Sequence, residues 1–489
     1  MSIWRVKPVS AFEADMKKSD LKRVLTKWGL TSLGIGAIIG GGIFTLTGIA
    51  AHDYAGPALA LSFVIAGIGC LFASLCYAEF ASVLPVEGSA YAYAYGTVGE
   101  LFAWFIGWNL ILEYMMGATT VAVAWSGYFV KLLHLFHIDF PIWLCNDMAT
   151  ATAKYAELGQ AAPSFAFNLP AFLITWLVTA ILVKGIKEAA STNNIIVIIK
   201  IAVVLFVIIA GAFFIDTENW TPFIPDEIHT TVDGKDTVQF GFGGVLTAAT
   251  IVFFAYIGFD AVSTQAGEAI NPKKDVPFAI VMSLVICTVL YILVSLVLTG
   301  MVPYQQLDLA APVASAFDGV GIKWAVFLIT IAATAGLTSV MLVMMLGQTR
   351  IFLGMAKDGL LPFKMFGDLH PKFKTPFRST ILVGGVISLV AALTPISRVS
   401  EMCSMGTLLA FSMVCVAVMI LRYKKPELER PYKTPAVYLV GTLGVAFNLF
   451  LMYFVRAETW VAFLIWGTIG IAVYFIYSRR HSKLNVPNQ

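Results

Sequence analysis

Residues 31–44 read Thr-Ser-Leu-Gly-Ile-Gly-Ala-Ile-Ile-Gly-Gly-Gly-Ile-Phe, and this stretch decides the fold that the chain can adopt. Its five glycines stand at positions 34, 36, 40, 41 and 42. Each glycine in a helix interior costs about 0.5–1 kcal/mol relative to alanine. Close packing of helices explains one glycine per turn, as in Gly36-x-x-x-Gly40, but not three consecutive glycines. The stretch therefore predicts an interrupted helix.

The composition of the chain is that of a membrane protein. Of its 489 residues, 59% are hydrophobic and only 12% are charged. A soluble core cannot absorb so much apolar surface, because single cores stop growing at roughly 250–300 residues. The solvent must therefore be lipid. Unwound backbone at membrane depth is tolerated only where it lines a cavity, so the three consecutive glycines also predict a cavity.

Apolar runs that cross the hydrocarbon core as helices need about 20 residues each. Twelve such runs lie near 30–52, 57–82, 98–130, 167–184, 191–215, 240–266, 277–301, 322–349, 379–394, 399–421, 435–455 and 459–478, of which the fourth and the ninth are short. The sequence thus predicts an all-α polytopic membrane protein with twelve transmembrane helices.

The positions of Lys and Arg predict the orientation of the chain in the membrane. The segment 1–29 carries seven of the 32 Lys and Arg residues, and the tail 479–489 carries three. With the N-terminus inside, 25 of the 32 face the cytoplasm and six face outward, and Lys200 is the remaining one. Since cytoplasmic loops are rich in Lys and Arg, we expect a multi-pass protein of the plasma membrane with both termini in the cytoplasm.

A second interruption is predicted in the sixth run, at Phe253-Phe-Ala-Tyr-Ile-Gly-Phe-Asp260, where Gly258 lies beside an acid and bulky aromatic residues. Runs one and six begin two halves of five runs each, 30–215 and 240–421, and two further runs follow in 435–478. Interrupted helices at corresponding positions of two halves mark the substrate site of transporters with inverted repeats. We therefore expect a five-plus-five inverted repeat with broken helices 1 and 6.

Two interrupted helices suit a ligand with charges of both signs. A half-helix that begins after a break exposes N–H groups with partial positive charge, which attract a carboxylate. A half-helix that ends before a break exposes carbonyl groups, which attract a cation. An α-amino acid carries both charges on one small frame. These features predict a transporter of amino acids.

Other function classes have less support in the sequence. A channel would need a ring of repeated carbonyls or charges along a continuous pore, and the sequence shows none. An enzyme would need a nucleophile–base pair or a metal cluster, but the six histidines are scattered without ligand spacing. The six cysteines indicate neither a disulfide framework nor a zinc site. We therefore expect no enzyme activity, cofactor, metal or nucleic-acid partner, whereas a non-transporting amino acid sensor stays open.

Several motifs resemble the amino acid–polyamine–organocation superfamily, and within it the bacterial members of the cationic amino acid transporter family. These motifs are GIGAIIGGGIF at 34–44, CYAEFAS at 76–82, PVEGSAYAYAY at 85–95, WNLILEY at 108–114, FFAYIGFDAVS at 253–263, NPKKDVP at 271–277 and GQTRIFLGMAKDGLLP at 347–362. The resemblance covers nearly the whole chain and implies five-plus-five repeats with two extra helices. It implies import of cationic or small neutral L-amino acids by proton symport, with amino acid exchange as the alternative. The preferred amino acid and any accessory subunit stay open.

The same resemblance implies the residues of a substrate site. Backbone N–H groups that would hold the substrate carboxylate belong to Gly41, Gly42 and Ile43. Carbonyl groups that would hold the α-amine lie near Ile38, Phe254 and Ile257. The aromatic side chain of Phe254 would close over the substrate, and segment 85–95 would seal the cytoplasmic side.

Lys200 is a charged residue inside the apolar sequence 195–204. It lies about 13 Å along a helix from Ser191, so that reaching the inner interface would be strained. In sodium-coupled members of the superfamily a cation bridges spans 1, 5 and 8 near this depth. The resemblance implies that the Lys200 ammonium replaces that ion and couples transport to protons. The alternative is a permanently charged structural lysine bonded to carbonyls of span 1.

The remaining candidates are acids and threonines within the runs. Glu113 has three interpretations: it pairs with a cationic substrate side chain, it pairs with Lys200, or it is a protonated structural acid. Intramembrane acids usually face the bundle interior, which favours a pocket-facing Glu113. Glu79 and Asp260 are predicted to belong to an inner gate, or simply to lie at the membrane interface, rather than to bind substrate. Two weaker candidates for the pocket are Thr334 and Thr338, because threonines in membrane helices commonly bond to their own backbone.

Overall fold

The computed structural model describes residues 5–7, 25–83, 89–185, 189–232 and 235–485. Within these ranges, eight helical segments are long and apolar enough to span a bilayer: Gly42–Val83, Glu100–Leu135, Ile195–Phe214, Gly241–Ser263, Pro272–Met301, Lys323–Lys357, Ile396–Lys424 and Ala457–His481. Shorter apolar helices cover Leu169–Lys184, Phe377–Leu393 and Val437–Tyr453. The chain is therefore a mostly helical, polytopic membrane protein.

The principal α-helices are joined by short helical turns and loops. In chain order they are α1 Lys27–Ile38, α2 Leu59–Val83, α3 Ser89–Thr97, α4 Glu100–Leu135, α5 Met148–Glu157, α6 Leu169–Lys184, α7 Ala189–Gly211, α8 Gly241–Val252, α9 Pro272–Met301, α10 Pro312–Gly319, α11 Lys323–Lys357, α12 Phe377–Leu393, α13 Ile396–Lys424, α14 Val437–Tyr453 and α15 Ala457–Val473. The segment 42–83 holds two elements, because the chain turns at Gly56, whose φ of +57° favours glycine.

The first apolar run is interrupted at its glycines. Helix α1 ends at Ile38, and Ile39 is extended, with φ −70° and ψ 101°. Helical turns resume at Gly42 and continue through Gly42–Leu46, Thr47–Ala50 and Ala51–Ala55. The break therefore lies at the glycine triplet, where helix formation is weakest.

The sixth run is interrupted in a similar way. Helix α8 ends at Val252 and tightens into the 3₁₀ turn Phe253–Tyr256. Ile257 is then extended, and Gly258 has a φ of +119°, a conformation that residues with a side chain rarely adopt. Helical turns resume in the 3₁₀ segment Asp260–Glu268. Both interruptions thus fall at predicted glycine positions.

A β-hairpin corrects the expectation of an all-α protein. Strands β1 Ile228–Val232 and β2 Lys235–Gln239 pair antiparallel between α7 and α8. The sequence of these strands is rich in Thr and Val, which favour strands, and Asp-Gly separates them in the chain. The apolar helical runs on either side dominate the sequence pattern, so this short hairpin in a polar loop was not predicted.

The interior of the bundle packs α2 against α9 and α4 against α11. Aromatic rings fill the space beside the interruption of the sixth run. The ring centroids of Phe259 and Phe411 are 4.9 Å apart, and Tyr77 lies 5.8 Å from Phe259 and 5.6 Å from Phe411. This packing holds the second half of the sixth run against α2 and α13.

Both ends of the described chain meet on one side of the molecule. Arg5 and Ser482 both contact the carboxylate of Glu100, at the start of α4. Lys7 pairs with Asp358, just beyond the end of α11, at 3.1 Å. We name this the basic side, because it carries the Lys- and Arg-rich segment that follows α11.

Candidate functional site

The two interrupted runs touch each other through their glycines. A β-carbon on Gly42 would lie 2.3 Å from the Cα of Ala255, closer than any real contact. A β-carbon on Gly258 would lie 2.9 Å from the carbonyl oxygen of Ala37. The backbones of both breaks are therefore in direct contact, which only glycine permits at these two positions.

The carbonyl end of α1 is bound by side chains from two other helices. The Nζ of Lys200, in α7, donates to the carbonyl oxygens of Gly36 at 2.8 Å and Ile39 at 3.1 Å. The hydroxyl of Tyr291, in α9, donates to the carbonyl of Ile38 at 2.9 Å. The last carbonyls of a helix have no intrahelical partner and carry partial negative charge. An ammonium and a hydroxyl here satisfy the groups that the break exposes.

Lys200 is packed from behind by α11. A β-carbon on Gly336 would lie 2.9 Å from the Cε of Lys200, so a glycine leaves the room that the lysine stem occupies. Gly36 similarly makes room for Val197, one turn before the lysine in α7. Lys200 is only 1% exposed. The lysine thus joins α1, α7 and α11 in the protein interior.

The helical turns that follow the break in the first apolar run start beside α4. A β-carbon on Gly41 would lie 3.4 Å from the Cβ of Ala124, an ordinary contact. Farther along, the hydroxyl of Tyr128, also in α4, donates to the carbonyl of Phe44 at 2.6 Å. The first N–H groups of a helix lack intrahelical acceptors and carry partial positive charge. The glycine triplet therefore presents donors close to α4.

Partial charges of opposite sign consequently lie on the two sides of the break. Donor N–H groups begin at the triplet, and acceptor carbonyls end α1. Phe254 and Ile257 lie on the sixth run beside this point and are 5% and 3% exposed. The arrangement is closed to solvent and has no nucleophile–base pair among the residues just described. It is suited to binding a small dipolar ligand.

Comparison with known proteins identifies the family. The model of the amino acid permease family matches residues 25–476, which include both interruptions and Lys200. The chain belongs to the amino acid permease family. The resemblance inferred from the motifs is thereby confirmed, and the protein is a transporter by family rather than an enzyme.

Relatives of this permease carry several substrate names. It is 45% identical over 487 residues to the branched-chain amino acid permease BcaP of Bacillus subtilis, covering 99% of each chain. It is 43% identical over 484 residues to the methylthioribose transporter of the same organism, again covering 99% of each chain. It is 37% identical over 430 residues to the vacuolar cationic amino acid transporter 2 of Arabidopsis thaliana, covering 88% of this chain and 64% of the relative.

Glu113 lies deeper toward the basic side of the permease than the glycine triplet does. It precedes Ala124, the α4 residue nearest a β-carbon on Gly41, by eleven residues, or about 16 Å along the helix. Glu113 is 1% exposed, and among the described residues neither carboxylate oxygen has a hydrogen-bond partner. The neighbouring hydroxyl of Thr407 donates to the carbonyl of Cys403 instead.

The charged neighbour of Glu113 is Asp260 rather than Lys200. Asp260 follows the break of the sixth run and is 1% exposed. The hydroxyl of Tyr114 lies 3.4 Å from its carboxylate. Lys200 bonds only to α1 carbonyls among the described residues, so the interpretation of Glu113 as a partner of Lys200 does not match this conformation.

Glu79, the other predicted gate residue, is fully buried at the end of α2. Its carboxylate accepts from the guanidinium of Arg422 at 2.6 and 2.9 Å, and from the backbone N–H of Thr434 at 2.8 Å. Arg430 lies 3.2 Å away. Glu79 therefore ties α2 to the end of α13 and to the segment between α13 and α14.

The threonines of α11 bond within their own helix. Thr334 donates to the carbonyl of Thr330, and Thr338 donates to that of Thr334 at 2.8 Å. Two residues that the motifs did not single out, Tyr128 and Tyr291, bond to the interrupted first run instead, and a third, Gly336, lies against Lys200. An aromatic hydroxyl or a glycine within an apolar run is the only local signal for them, and many positions share that signal.

Proposed function

We propose that this permease is a secondary active transporter that imports amino acids together with protons. The observation that carries the proposal is the contact between the two breaks, with donors on one side and carbonyls on the other. A zwitterion supplies the carboxylate for Gly41, Gly42 and Ile43. Its α-amine would meet carbonyls near Ile38, Phe254 and Ile257, and the Phe254 ring would cover it.

Lys200 is the candidate for proton coupling. Its ammonium bonds to the carbonyls of Gly36 and Ile39 at the end of α1 and lies against Gly336 of α11, so it links three helices. Losing a proton would remove the charge that holds the carbonyl end of α1. A ligand shifts a conformational equilibrium only by its different affinity for the two states, and a proton on Lys200 would act as such a ligand.

Cationic L-amino acids are favoured by Glu113. A buried carboxylate without a partner is costly, and an ammonium or guanidinium of a substrate would satisfy it. Small neutral L-amino acids are the other expected class, because they need only the backbone groups of the breaks. Because two relatives are named for branched-chain amino acids and for methylthioribose, leucine and methylthioribose belong in the test panel.

The proposed architecture places five-plus-five inverted repeats in 30–215 and 240–421, followed by two helices in 435–478, for twelve membrane crossings. Cytoplasmic segments 1–29 and 479–489 would lie on the basic side, in a plasma membrane. Two features support this orientation: the excess of Lys and Arg, and the contacts between both ends of the chain.

A competition panel on purified protein in proteoliposomes tests the proposal. Arginine, lysine, alanine, leucine, amino acid methyl esters and methylthioribose would each compete for counterflow of one labelled amino acid. We expect free amino acids to compete and esters to fail, since an ester has no carboxylate. Uptake should rise with an inward proton gradient and be indifferent to sodium. Competition by methylthioribose alone would overturn the proposal.

Exchange and sensing are the alternatives. An exchanger would show counterflow but no accumulation on a proton gradient without internal substrate. A sensor would bind amino acids without counterflow. The same vesicles distinguish all three, because labelled amino acid inside the vesicle separates symport from exchange, and binding without such label identifies a sensor.

A further inference from the structure

Segments near both ends of the chain contact helix α3 and the residues around it. The backbone N–H of Lys7 donates to the carbonyl of Tyr95 at 2.9 Å. The backbone N–H of Glu100 donates to the carbonyl of Arg5 at 2.8 Å. The segment 5–7 therefore runs beside the joint between α3 and α4 and bonds to it through main-chain groups.

Glu100 is the centre of this assembly. It is fully buried, and its carboxylate accepts from three side chains. Arg5 donates from 3.2 Å and Tyr474 from 3.1 Å, and the hydroxyl of Ser482 bonds to the second oxygen. One carboxylate at the first turn of α4 thus binds the beginning and the end of the chain together.

Asp358 forms a second centre beside the first. Its carboxylate accepts from Lys7 at 3.1 Å and from the hydroxyl of Tyr91, in α3, at 2.9 Å. Its carbonyl accepts from the N–H of Lys483 at 3.1 Å. The two centres together pin α3 to both terminal segments and to the end of α11. We name this set the terminal clasp: Arg5, Lys7, Tyr91, Glu100, Asp358, Tyr474 and Ser482.

Helix α3 covers the basic side of the substrate site. It packs against the 3₁₀ segment that begins at Asp260, and Tyr93 stacks on Phe80 of α2 at 5.5 Å. Residues 90–95 of α3 are at most 4% exposed. A ligand that leaves the breaks toward the basic side must therefore displace α3 or pass along it.

We propose that the terminal clasp is a latch that keeps the permease closed on its basic side, and that its release precedes opening there. This inference rests on the proposed function for its meaning in transport. Charge-assisted hydrogen bonds to a buried carboxylate are strong enough to bias a conformational equilibrium, yet few enough here to be released together. The contacts of the terminal segments then set the rate at which substrate leaves toward the cytoplasm.

Hydrogen–deuterium exchange of the full-length protein in proteoliposomes tests the latch. Glu100→Gln keeps the shape of the side chain but removes its charge. We expect amide exchange in 89–97 to rise about tenfold, the change in an equilibrium constant for one charge-assisted hydrogen bond. Ser482→Ala and Asp358→Asn should raise exchange in the same segment, and transport by all three variants should be as fast as wild type or faster.

Glu401→Gln is the matched control. Glu401 is 4% exposed and also accepts from an arginine and a hydroxyl, those of Arg456 and Thr459, at the opposite end of α13 from Arg422. Exchange in 89–97 should not change in this control. Unchanged exchange in Glu100→Gln, or faster exchange with loss of transport, would show that the contacts only hold the fold. If wild type does not transport, the proposed function fails, while the exchange data still report on the clasp.

Discussion

The ammonium nitrogen of Lys200 lies 2.8 Å from the carbonyl oxygen of Gly36, so a side chain of α7 caps the carbonyl end of the first helix of the permease. The two residues are 164 positions apart in the chain. Their contact replaces, with a protein cation, the positive charge that the exposed end of a broken helix attracts.

Lys200→Ala should retain substrate binding but lose accumulation driven by an inward proton gradient. The reason is that the variant has no amino group at the end of α1 that could gain or lose a proton during the cycle. Lys200→Met is the matched variant, since it loses the charge and keeps most of the volume. Uptake of a labelled amino acid with and without a pH gradient measures the effect. A variant of either kind that still concentrates substrate on the gradient would show that the lysine is structural.

Gly336→Ala should mimic the loss of Lys200. The added methyl group would lie 2.9 Å from the lysine Cε and displace the stem from its position. Overpacking of this kind costs about 1–3 kcal/mol. Gly385→Ala is the control, because no atom lies within 4 Å of the methyl group there. Proton-driven uptake should fall in the first variant only, and equal uptake in both would contradict the proposed packing.

The glycine triplet should tolerate substitution unequally. A methyl group on Gly42 would lie 2.3 Å from Ala255, whereas one on Gly41 meets ordinary contacts at 3.4 Å. We expect Gly42→Ala to abolish uptake and Gly41→Ala to retain it. Gly41→Val should abolish it, because the larger group fills the space where the backbone would meet a carboxylate. Membrane insertion and uptake are both measured, and normal uptake by Gly42→Ala would remove the argument from contact between the breaks.

Glu113→Gln should discriminate between substrates. If the carboxylate pairs with a cationic side chain, kcat/KM for arginine and lysine should fall. The fall should correspond to a loss of about 3–5 kcal/mol of interaction free energy, as for a broken buried ion pair. Alanine should be affected little. Relative kcat/KM values for the three amino acids give the result. An equal loss for all of them would assign Glu113 to a structural or proton-linked role with its neighbour Asp260.

Tyr291→Phe should change substrate affinity as well as stability. Its hydroxyl donates to the Ile38 carbonyl, a group that the α-amine is proposed to meet. Loss of a single hydrogen bond costs about 0.5–1.5 kcal/mol of stability. Tyr256→Phe is the matched control, since its hydroxyl donates at 2.7 Å to the carbonyl of Phe63 rather than to a carbonyl of the first run. Equal KM values in both variants would show that the Ile38 carbonyl does not take part in substrate binding.

The amino-acid sequence by itself determined where the helices lie and where two of them break. Apolar length and glycine clustering act within one or two helical turns, so most helices begin and end within about five residues of the apolar runs. Helix α11 is the exception, since it ends eight residues beyond the run at 322–349. The motifs, read over nearly the whole chain, were sufficient to indicate the family. The hairpin between α7 and α8 was missed, although its Thr and Val residues around Asp-Gly were a local signal for it.

Only the tertiary structure decided which side chains meet. It placed Asp260 rather than Lys200 beside Glu113, brought Tyr291 to the carbonyl of Ile38, and joined both chain ends at Glu100. Such contacts join residues far apart in the chain, and their partners are chosen by the packing of whole helices rather than by local propensity. A pattern of residue types can propose that a buried charge needs a partner, but the identity of that partner follows from geometry that no single segment contains.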